Sequence, residues 1–552
     1  MKTTKNKDTP DEEHQSFDTL IAGGGIAGLV TALELLVQGQ SVCIVDRDTK
    51  ERLGGLARWA FGGMALSGTK QQKKLKIPDN SERLLHDWHN FAEFSDNDYW
   101  QKQWAQEYAQ QNNDKVYQYL LALGLKFLPA VNWVERGLFG DGNSVPRYHI
   151  LWGTGWHLVE TIIKKLQPFI LQQKLVIYHQ HKVLTVNFSR QIAVGAQVEN
   201  EITGVCSHID ANNVVIACGG INGSTERVKQ NWNTSWGKPP ISMLNGANPI
   251  SDGKLHDQIE QHGGKLSNLE NMWNYAAGIK HPQAEFEGHG LSLIPCKSAL
   301  WFDYKGDRIG PMPLVTGFDT HYLCKEVARQ EKPWTWQVMN WRIAEKELAV
   351  SGSQHNPSIR DKNLLGLLKE LVFGNQKLLQ QLENESDDFI VADNLEQLVE
   401  KMNQKTEQPY VNYQTIKQQI DLFDEQVKLG DRFQNDDQVR RINHARQWKA
   451  DKLRTCKPAP ILSSEQSKKA KKLIAIKLQL ISRKSLGGIQ TNLSSQVLNQ
   501  QEDVMKHLYC VGEAAGFGGG GASGKRSLEG TFLSGCILTA RNAAEAIIKH
   551  SN

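Results

Sequence analysis

The sequence contains no long apolar run and no closely spaced pair of cysteines. None of its apolar stretches approaches the roughly 18 residues that a membrane-spanning helix needs, so we expect no membrane span. The eight cysteines are scattered along the chain without a C-x-x-C pair. This usage is typical of a reduced, cytoplasmic protein and argues against zinc or iron–sulfur ligation, so we also expect no metal site.

Charge of one sign is also scarce. The chain has 64 Lys and Arg against 60 Asp and Glu, a formal charge of +4, which gives no reason to expect a nucleic-acid partner. With 39% hydrophobic and 22% charged residues, the 552-residue chain has the composition of a soluble globular protein with two or more domains. Residues 1–16 are polar and lack the apolar core of a signal peptide, which predicts a disordered tail.

Glycine, by contrast, is abundant, with 47 residues, and it is clustered. The first cluster has the pattern G-x-G-x-x-G and lies between a short apolar strand pattern and an amphipathic helical pattern. In a dinucleotide-binding fold, Gly23 permits a tight turn, Gly25 lets the backbone approach a pyrophosphate, and Gly28 lets the helix pack closely on the strand. The order of strand, glycine cluster and helix therefore predicts a dinucleotide site.

The helix after this cluster begins at Ile26 and Ala27, whose free N–H groups are expected to face the pyrophosphate. A second strand pattern follows and ends at Asp46 and Arg47. Asp46 lies 23 positions after Gly23, where a carboxylate accepts hydrogen bonds from a ribose hydroxyl and repels a 2′-phosphate. We therefore predict a dinucleotide other than NADP, with Asp46 and Arg47 beside it. The alternative is a glycine-rich turn that binds no ligand.

A second glycine-rich cluster near the C-terminus indicates FAD rather than NAD. An apolar strand pattern runs into Gly512 and Glu513, and a long helical pattern begins at Gly530 and Thr531. FAD proteins return to the first fold in this way: the carboxylate binds the ribityl chain, and the helix start faces the flavin C2 carbonyl. We predict these roles for Glu513 and for Gly530 with Thr531. A flexible glycine-rich loop is the alternative.

Three further segments, Leu53–Met64, Val214–Gly220 and Ser485–Thr491, complete an order of five motifs. Together they resemble the flavoprotein family of fumarate reductase, succinate dehydrogenase and 3-ketosteroid dehydrogenase, and most of all its bacterial FAD-binding dehydrogenases. The resemblance implies an α/β fold with a Rossmann-like FAD-binding domain in two sequence pieces, 17–271 and 482–552. An α+β cap domain is expected as an insertion at 272–481, with the active site where the cap meets the flavin.

The resemblance also assigns the chemistry and the remaining FAD contacts. It implies hydride transfer between flavin N5 and one carbon of a CH–CH or C=C unit beside a carbonyl or carboxylate. The substrate is then an apolar or carboxylate-bearing small molecule, and an external electron acceptor or donor completes the cycle. Further FAD contacts are implied at six positions: Gly55, Gly62, Gly63, Val183, Ala217 and Gly219.

The sequence departs from the family pattern at several positions. Leu56 stands where succinate dehydrogenases carry the His that binds flavin covalently, which predicts noncovalent FAD. Ile474 replaces a Tyr that acts in the ketosteroid enzymes, so steroid 1,2-dehydrogenation by the usual residues is in doubt. Arg483 and Lys484 replace the His-His of fumarate reductases and either hold a carboxylate or are surface charges. The cap segment Thr316–Asp319 lacks the proton-donating Arg of fumarate reductases.

Two residues are candidates for catalysis. Tyr275 falls near a substrate-binding position of the family, and a phenol there can donate a proton to a developing carbanion or enolate. Arg526 is a candidate substrate clamp, although it is displaced by one residue and Ser527 takes the aligned place. The alternatives are a buried structural Tyr and an Arg that contacts FAD or packs against the cap.

The sequence leaves some questions open. Fourteen of the fifteen tryptophans lie between Trp59 and Trp341, which indicates either an aromatic pocket or core packing. The function predicted is an FAD-dependent dehydrogenase or reductase acting on CH–CH bonds. The alternatives are a flavoenzyme that oxidises an amine or alcohol and a flavin-binding protein without turnover. No second dinucleotide motif supports a separate NAD site.

Overall fold

The computed structural model describes residues 16–462 and 472–551, with the side chain of Ser551 excepted. The predicted N-terminal tail, 1–16, lies outside the described residues apart from Ser16, which begins the first strand. The described chain is a mixed α/β structure with two eight-stranded sheets and two small ones.

The strands, in chain order, are β1 Ser16–Ala22, β2 Val42–Asp46, β3 Gly63–Ala65, β4 Phe127–Asn132, β5 Tyr148–Leu151, β6 Leu175–His179, β7 His181–Ser189, β8 Ile192–Asn200, β9 Cys206–Ile216, β10 Leu244–Asn245, β11 Leu266–Ser267, β12 Met272–Lys280, β13 Gly290–Ile294, β14 Leu300–Phe302, β15 Thr335–Asn340, β16 Ala349–Val350, β17 Phe389–Ala392, β18 Leu473–Ser485, β19 Gly488–Ile489, β20 Gln496–Leu498 and β21 Val504–Cys510.

The α-helices are α1 Ile26–Val37, α2 Leu56–Trp59, α3 Lys70–Lys74, α4 Ser81–Ala92, α5 Tyr99–Gln111, α6 Tyr119–Ala122, α7 Thr154–Leu171, α8 Thr225–Gln230, α9 Lys254–Gln261, α10 Thr320–Ala328, α11 Trp341–Glu347, α12 Pro357–Arg360, α13 Leu364–Phe373, α14 Gln376–Glu385, α15 Leu395–Thr406, α16 Tyr413–Lys428, α17 Asp437–Gln447, α18 Lys449–Arg454 and α19 Thr531–Ser551. A π-helical segment, Asn112–Gln118, joins α5 to α6.

The first eight-stranded sheet contains strands from both ends of the chain. Strand β1 lies between β2 and β9 and is parallel to both, so that Leu20 pairs with Cys43 on one side and Val214 on the other. Strand β21 extends this sheet parallel to β9, with Leu508 opposite Val214. The carboxyl-terminal parts of these strands, residues 20–22, 42–45, 214–216 and 508–510, are apolar and buried, because both faces of a parallel sheet are covered there. Helices α1 and α19 pack against each other within one apolar core.

The second eight-stranded sheet is built around β18. This strand pairs antiparallel with β12, β15 and β17, and parallel with the short β10. Its apolar side chains belong to a second core, which also includes residues of β12 to β17 and of helices α14 to α16. Residues 361–472 are rich in Gln, Asn and Lys and have a helical pattern, and their described part contains helices α13 to α18 and the strand β17.

Local predictions from sequence differ from the structure at two helix starts. The sequence Asp-Asn-Leu-Glu at 393–396 is a capping-box pattern that predicts a helix start at Asp393, but the cap of α15 is Asn394, whose side chain accepts a hydrogen bond from the Gln397 amide. The polar composition of residues 65–76 predicts a loop, but this segment contains the short helix α3, since Thr69 and Gln72 form a reciprocal capping box. Both differences show side-chain hydrogen bonding deciding where a helix begins.

A buried ion-pair network fixes the start of β5. The Arg147 side chain is fully buried and donates to both carboxylate oxygens of Asp79, with nitrogen–oxygen distances between 2.7 and 3.1 Å. Its other terminal nitrogen donates to Asp87 and, at 2.8 Å, to the Asn143 side chain. A buried guanidinium is tolerated only when its donors are satisfied, as they are here.

We expect Arg147→Ala to lower the free energy of unfolding by about 3–5 kcal/mol, because it leaves two buried carboxylates without their cation. Chemical denaturation followed by tryptophan fluorescence measures this loss. Arg329→Ala, which removes a half-exposed ion pair with Glu326, is the matched control and is expected to cost less than about 1 kcal/mol. An equal effect of the two substitutions would contradict the assignment.

Candidate active site

A cavity of about 540 Å³ opens at the carboxyl ends of the parallel strands of the first sheet. Its walls include Ala22 at the end of β1, Asp46 at the end of β2, Ala217 after β9 and Val511 after β21. Residues of the second sheet and of α19 close its other side. Ligands of open α/β sheets bind in this location, outside the carboxyl ends of the strands.

The glycine cluster forms one wall of the cavity. Gly25 caps α1 without any side-chain hydrogen bond, and a Cβ placed on it would meet no atom within 4 Å. Gly23 has φ +120°, and a Cβ there would lie 2.3 Å from the Ala217 carbonyl oxygen. Gly28 is outside the cavity lining and packs on Gly23, whose carbonyl oxygen would be 2.1 Å from a Cβ. The space at Gly25 and the uncapped start of α1 fit an anionic group.

Asp46 lies where the spacing places a ribose-binding carboxylate. It lines the cavity, and its carboxylate accepts hydrogen bonds from the amides of Gly24 and Asp48. Burial raises the pKa of Asp46, and these two hydrogen bonds oppose the rise. The neighbouring Arg47 also lines the cavity, but its guanidinium is bound by Glu201 at 2.9 Å and Asp252 at 3.0 Å. The positive charge of Arg47 is therefore largely neutralised by these two carboxylates.

The remaining predicted FAD contacts divide into two groups. Those that line the cavity are Ile26, Ala27, Gly55, Gly62, Gly63, Val183, Ala217, Gly219 and Glu513. Gly530 and Thr531 do not line it, whereas Glu529 and Phe532 on either side of them do. Gly530 has φ +102°, and a Cβ there would lie 2.6 Å from the Ala65 amide nitrogen. The start of α19 is thereby held against β3.

Glu513 and Lys484 form a buried charged group within the lining. Glu513 accepts a hydrogen bond of 2.9 Å from the Ser485 amide, and burial raises its pKa to about 7. Burial lowers the pKa of Lys484 to about 8, which the attraction of Glu529 and Glu513 opposes. The interpretation of Arg483 and Lys484 as surface charges is wrong, since both line the cavity.

Tyr275 lies at the end of the cavity formed by the second sheet and α19. Its hydroxyl donates to Glu529 Oε2 at 3.2 Å, and the Trp273 indole donates to the same oxygen at 2.9 Å. The Lys484 ammonium lies 5.5 Å and the Arg483 guanidinium 5.8 Å from the centre of the Tyr275 ring. Burial, together with the Glu529 charge, raises the pKa of Tyr275 well above its usual value. The phenol is therefore neutral near pH 7.

Tyr148 and Glu529 are two of the cavity-lining residues that were not found from the sequence. The Tyr148 ring covers Gly63 so closely that a Cβ on Gly63 would lie 1.8 Å from it. Burial, followed by the Glu529 charge, raises the pKa of Tyr148. Glu529 immediately precedes the predicted contact Gly530, so the motif itself pointed to it. No local pattern marks Tyr148, since it reaches the cavity through the pairing of β5 with β3.

Arg526, predicted as a substrate clamp, is not among the residues that line the cavity. Its guanidinium pairs with Asp319 at 3.1 Å and with Glu93 at the end of α4. Both partners are protein carboxylates, so this Arg joins the segment before α19 to α10 and α4. Ser527, in the aligned place, is buried and bonds the hydroxyl of Thr531 at 2.9 Å.

About half of the tryptophans are buried in the core, and the pocket interpretation is wrong for the described residues, because none of the tryptophans lines the cavity. Trp88, Trp104, Trp273 and Trp336 are among the largest fully buried side chains. Within 16–462 and 472–551, no group of three or more His, Cys, Asp or Glu side chains is arranged to hold a metal ion. No helix in the described part of the chain has the length and apolar character needed to cross a membrane.

A glycine cradle at the start of a helix, set at the ends of parallel strands, defines a dinucleotide-binding α/β protein. Comparison with known families specifies this further. The family model described as FAD binding domain matches residues 18–533, and the chain belongs to this family.

Curated relatives match the chain over almost its whole length. It is 36% identical over 533 residues to a KsdD-like steroid dehydrogenase of Mycolicibacterium smegmatis, covering 94% of this chain and 96% of the relative. A KsdD-like steroid dehydrogenase of Mycobacterium tuberculosis is also 36% identical, over 97% of this chain and 96% of the relative. The predicted class, an FAD-dependent dehydrogenase or reductase, is confirmed by these relatives and by the family. Neither alternative function has support among them.

Solved structures share the fold at low sequence identity. The open conformation of a flavocytochrome c3 fumarate reductase matches with TM-score 0.68 and 19% identity, over 97% of this chain and 79% of that one. The 3-ketosteroid Δ1-dehydrogenase from Sterolibacterium denitrificans, in complex with 1,4-androstadiene-3,17-dione, matches with TM-score 0.69 and 14% identity, over 97% and 100%. The resemblance predicted from the sequence is thereby confirmed.

We expect Gly25→Val to abolish FAD retention, because its side chain projects into the space that fits the pyrophosphate. The ratio of flavin to protein absorbance after purification measures it. Gly140→Val is the matched control, since Gly140 also has an ordinary backbone conformation and no atom within 4 Å of a Cβ. Full flavin content in Gly25→Val would contradict the placement of the phosphate site.

Proposed function

We propose that the protein is an FAD-dependent dehydrogenase that introduces a C=C bond beside the carbonyl of a steroid or similarly apolar ketone. The proposal rests on one observation: in the cavity wall, the neutral phenol of Tyr275 donates a hydrogen bond to the Glu529 carboxylate. The names of the curated relatives support the substrate class, and the proposal extends it to this chain. A cytoplasmic location is part of the proposal, supported by the eight cysteines, all of which are free.

The proposed organisation has an FAD-binding domain in two pieces, 17–271 and 482–552, and a cap at 272–481. The pairing of β21 with β9 supports the two-piece domain, because the last segment completes the first sheet. The second sheet supports the cap but extends past both proposed limits. Strand β10 joins it at Leu244–Asn245, and β18 continues to Ser485.

The cavity residues fit FAD. We propose that Gly25 and the start of α1 hold the pyrophosphate, Asp46 the ribose and the Val183 backbone the adenine. Gly55, Ala217 and Gly219 complete this wall. Binding is proposed to be noncovalent, since Leu56 offers no nucleophile.

At the other end of the cofactor site, Glu513 would contact the ribityl chain, and Gly62, Gly63 and the start of α19 the flavin. Bound FAD would supply a two-electron acceptor for the hydride of the carbon next to the deprotonated one, and an external electron acceptor would complete the cycle. The sequence supports no separate NAD site for that step.

The protein's own residues move the proton. Tyr275 accepts the proton from the carbon beside the carbonyl while its phenol proton passes to Glu529, 3.2 Å away. The Tyr148 hydroxyl and the Lys484 ammonium are the donors at the same end of the cavity for the carbonyl oxygen, on which negative charge develops. This division of roles replaces the family Tyr that is absent at Ile474, a fully buried residue of β18.

The cavity lining favours an apolar ring system. Phe61, Phe517, Phe532 and Leu533 contribute apolar surface around the polar group. Arg483 and Lys484 favour a second candidate, a substrate carrying a carboxylate, because they bring two cations to the same wall. Anaerobic bleaching of the flavin by a 3-ketosteroid, compared with reoxidation of the reduced flavin by fumarate, distinguishes the two substrates.

Acid precipitation of the purified protein tests the linkage of the cofactor. We expect FAD in the supernatant and a colourless pellet, because Leu56 cannot form a covalent bond to flavin. Yellow colour that stays with the pellet would show a covalent flavin and contradict the proposal.

Replacing the phenol tests the proton transfer. We expect Tyr275→Phe to lower kcat for the 3-ketosteroid by about 100-fold or more, and Glu529→Gln to have a similar effect, since each removes one partner of the relay. Stopped-flow reduction of the flavin measures the rate at full FAD occupancy.

Tyr413→Phe on α16, outside the cavity lining, is the matched control and should keep the wild-type rate. Wild-type kcat in Tyr275→Phe would remove Tyr275 from the mechanism. A loss confined to KM would instead assign it to substrate binding.

A further inference from the structure

Helix α13 carries an apolar stripe on its outer surface. Leu365, Leu368 and Val372 follow the spacing of one helix face and are 80%, 49% and 73% exposed. Leu364 and Phe373, at the two ends of the helix, are 59% and 63% exposed. Five large apolar side chains on a ten-residue helix form a contiguous patch, and such patches mark interaction surfaces.

The opposite face of the same helix packs toward the cavity wall. Leu367 is buried in a small cluster with Ile150 and Ile359, and Leu371 packs against it. Phe61 and Tyr148 contact the same cluster and also line the cavity. This cluster therefore connects the inner face of α13 to Phe61 and Tyr148 in the cavity wall.

Exposed lysines lie on α13 and on the chain to either side of it. Lys362, Lys369 and Lys377 make no ion pair with any carboxylate in the part of the chain that the structure describes, although the Lys362 ammonium contacts His157 Nε2 at 2.6 Å. The acidic side chains of this segment have other partners: Asp361 pairs with Arg360, and Glu370 accepts a hydrogen bond from the Ser358 hydroxyl. The surface around α13 is thus apolar at its centre and positive at its edge.

We propose that α13 is a membrane-docking helix, which inserts its apolar stripe into the interfacial layer of a lipid surface that carries anionic headgroups. The stripe replaces contact with water by contact with acyl chains, and the lysines bind the headgroups. Resting on the proposed function, docking brings the end of the cavity that holds Tyr148 next to the phase in which an apolar ketone is dissolved.

The charge pattern distinguishes a lipid surface from a second copy of the chain. In a symmetric dimer across α13, the same patch faces itself, so Lys362, Lys369 and Lys377 of both copies would approach one another. Like charges brought together at an interface oppose association. An anionic surface complements the same pattern without that cost.

Vesicle sedimentation tests the docking helix. The probes are vesicles of phosphatidylcholine alone and vesicles that also contain phosphatidylglycerol, each mixed with the FAD-loaded full chain. We expect sedimentation with the anionic vesicles and about tenfold or more weaker partitioning of Leu365→Asp/Val372→Asp, because two charges replace inserted apolar side chains. Lys369→Glu/Lys377→Glu should lose the preference for anionic vesicles.

Leu171→Asp is the matched control, as Leu171 is 84% exposed and lies at the end of α7, roughly 25 Å from the start of that helix beside Lys362. It should sediment like the wild type. Equal sedimentation of Leu365→Asp/Val372→Asp and the wild type, or no sedimentation of the wild type with anionic vesicles, would overturn the proposal. A dimer that becomes a monomer in Leu365→Asp/Val372→Asp, measured by light scattering, would assign α13 to self-association instead.

The sedimentation readout does not depend on turnover, so it separates this proposal from the proposed function. Docking without steroid-dependent flavin reduction would leave α13 as a lipid-binding helix and remove the substrate assignment. Steroid turnover without docking would keep the substrate assignment and remove the lipid-binding role of α13. Flavin absorbance of each variant confirms that the substituted chains are folded.

Discussion

The parallel pairing of β9 with β1 on one side and β21 on the other is the constraint on which the structure depends. It brings segments almost 500 residues apart in sequence to the same sheet edge. The turn after β1 supplies the glycine cradle, and the turn after β21 supplies Glu513. Because strand ends in one parallel sheet meet at one edge, the two turns have to share a cavity. The pairing also places α19 against α1, which buries the apolar face of each helix.

The second physical theme is the concentration of ionisable groups in a confined space. Burial disfavours both charged forms and is the largest cause of the raised pKa of Glu513, about 7, and of the lowered pKa of Lys484, about 8. Their mutual attraction and the charge of Glu529 offset part of this cost. Around them the phenols of Tyr148 and Tyr275 are held neutral, so that they are able to donate hydrogen bonds at neutral pH. A site of this composition is suited to moving protons next to a carbonyl group.

The cofactor end of the site could be predicted from sequence, whereas the reacting end could be predicted only in part. Gly23, Gly25 and Asp46 are placed by a short local pattern, since each role follows from a turn and its flanking strand. Tyr275 was found through the family resemblance, but Arg526 was assigned a contact that its two carboxylate partners now occupy. Tyr148 could not be predicted because its position follows from the pairing of β5 with the distant strand β3. No pattern in the neighbouring sequence indicates that pairing. The boundaries of the second sheet were missed in the same way, since β10 and β18 cross the expected limits.

The ion-pair network of Arg147 has a consequence for how this enzyme family can diversify. Position 148 presents its side chain to the cavity, while the residue before it fastens the strand through Asp79 and Asp87. Residue 147 therefore fixes the backbone of the strand, and residue 148 supplies the side chain that faces the cavity. New side chains at 148 can be sampled by evolution, or by an engineer, on an anchored strand. Residue 63 does not share that freedom. The Tyr148 ring occupies the space that any side chain larger than glycine at residue 63 would need.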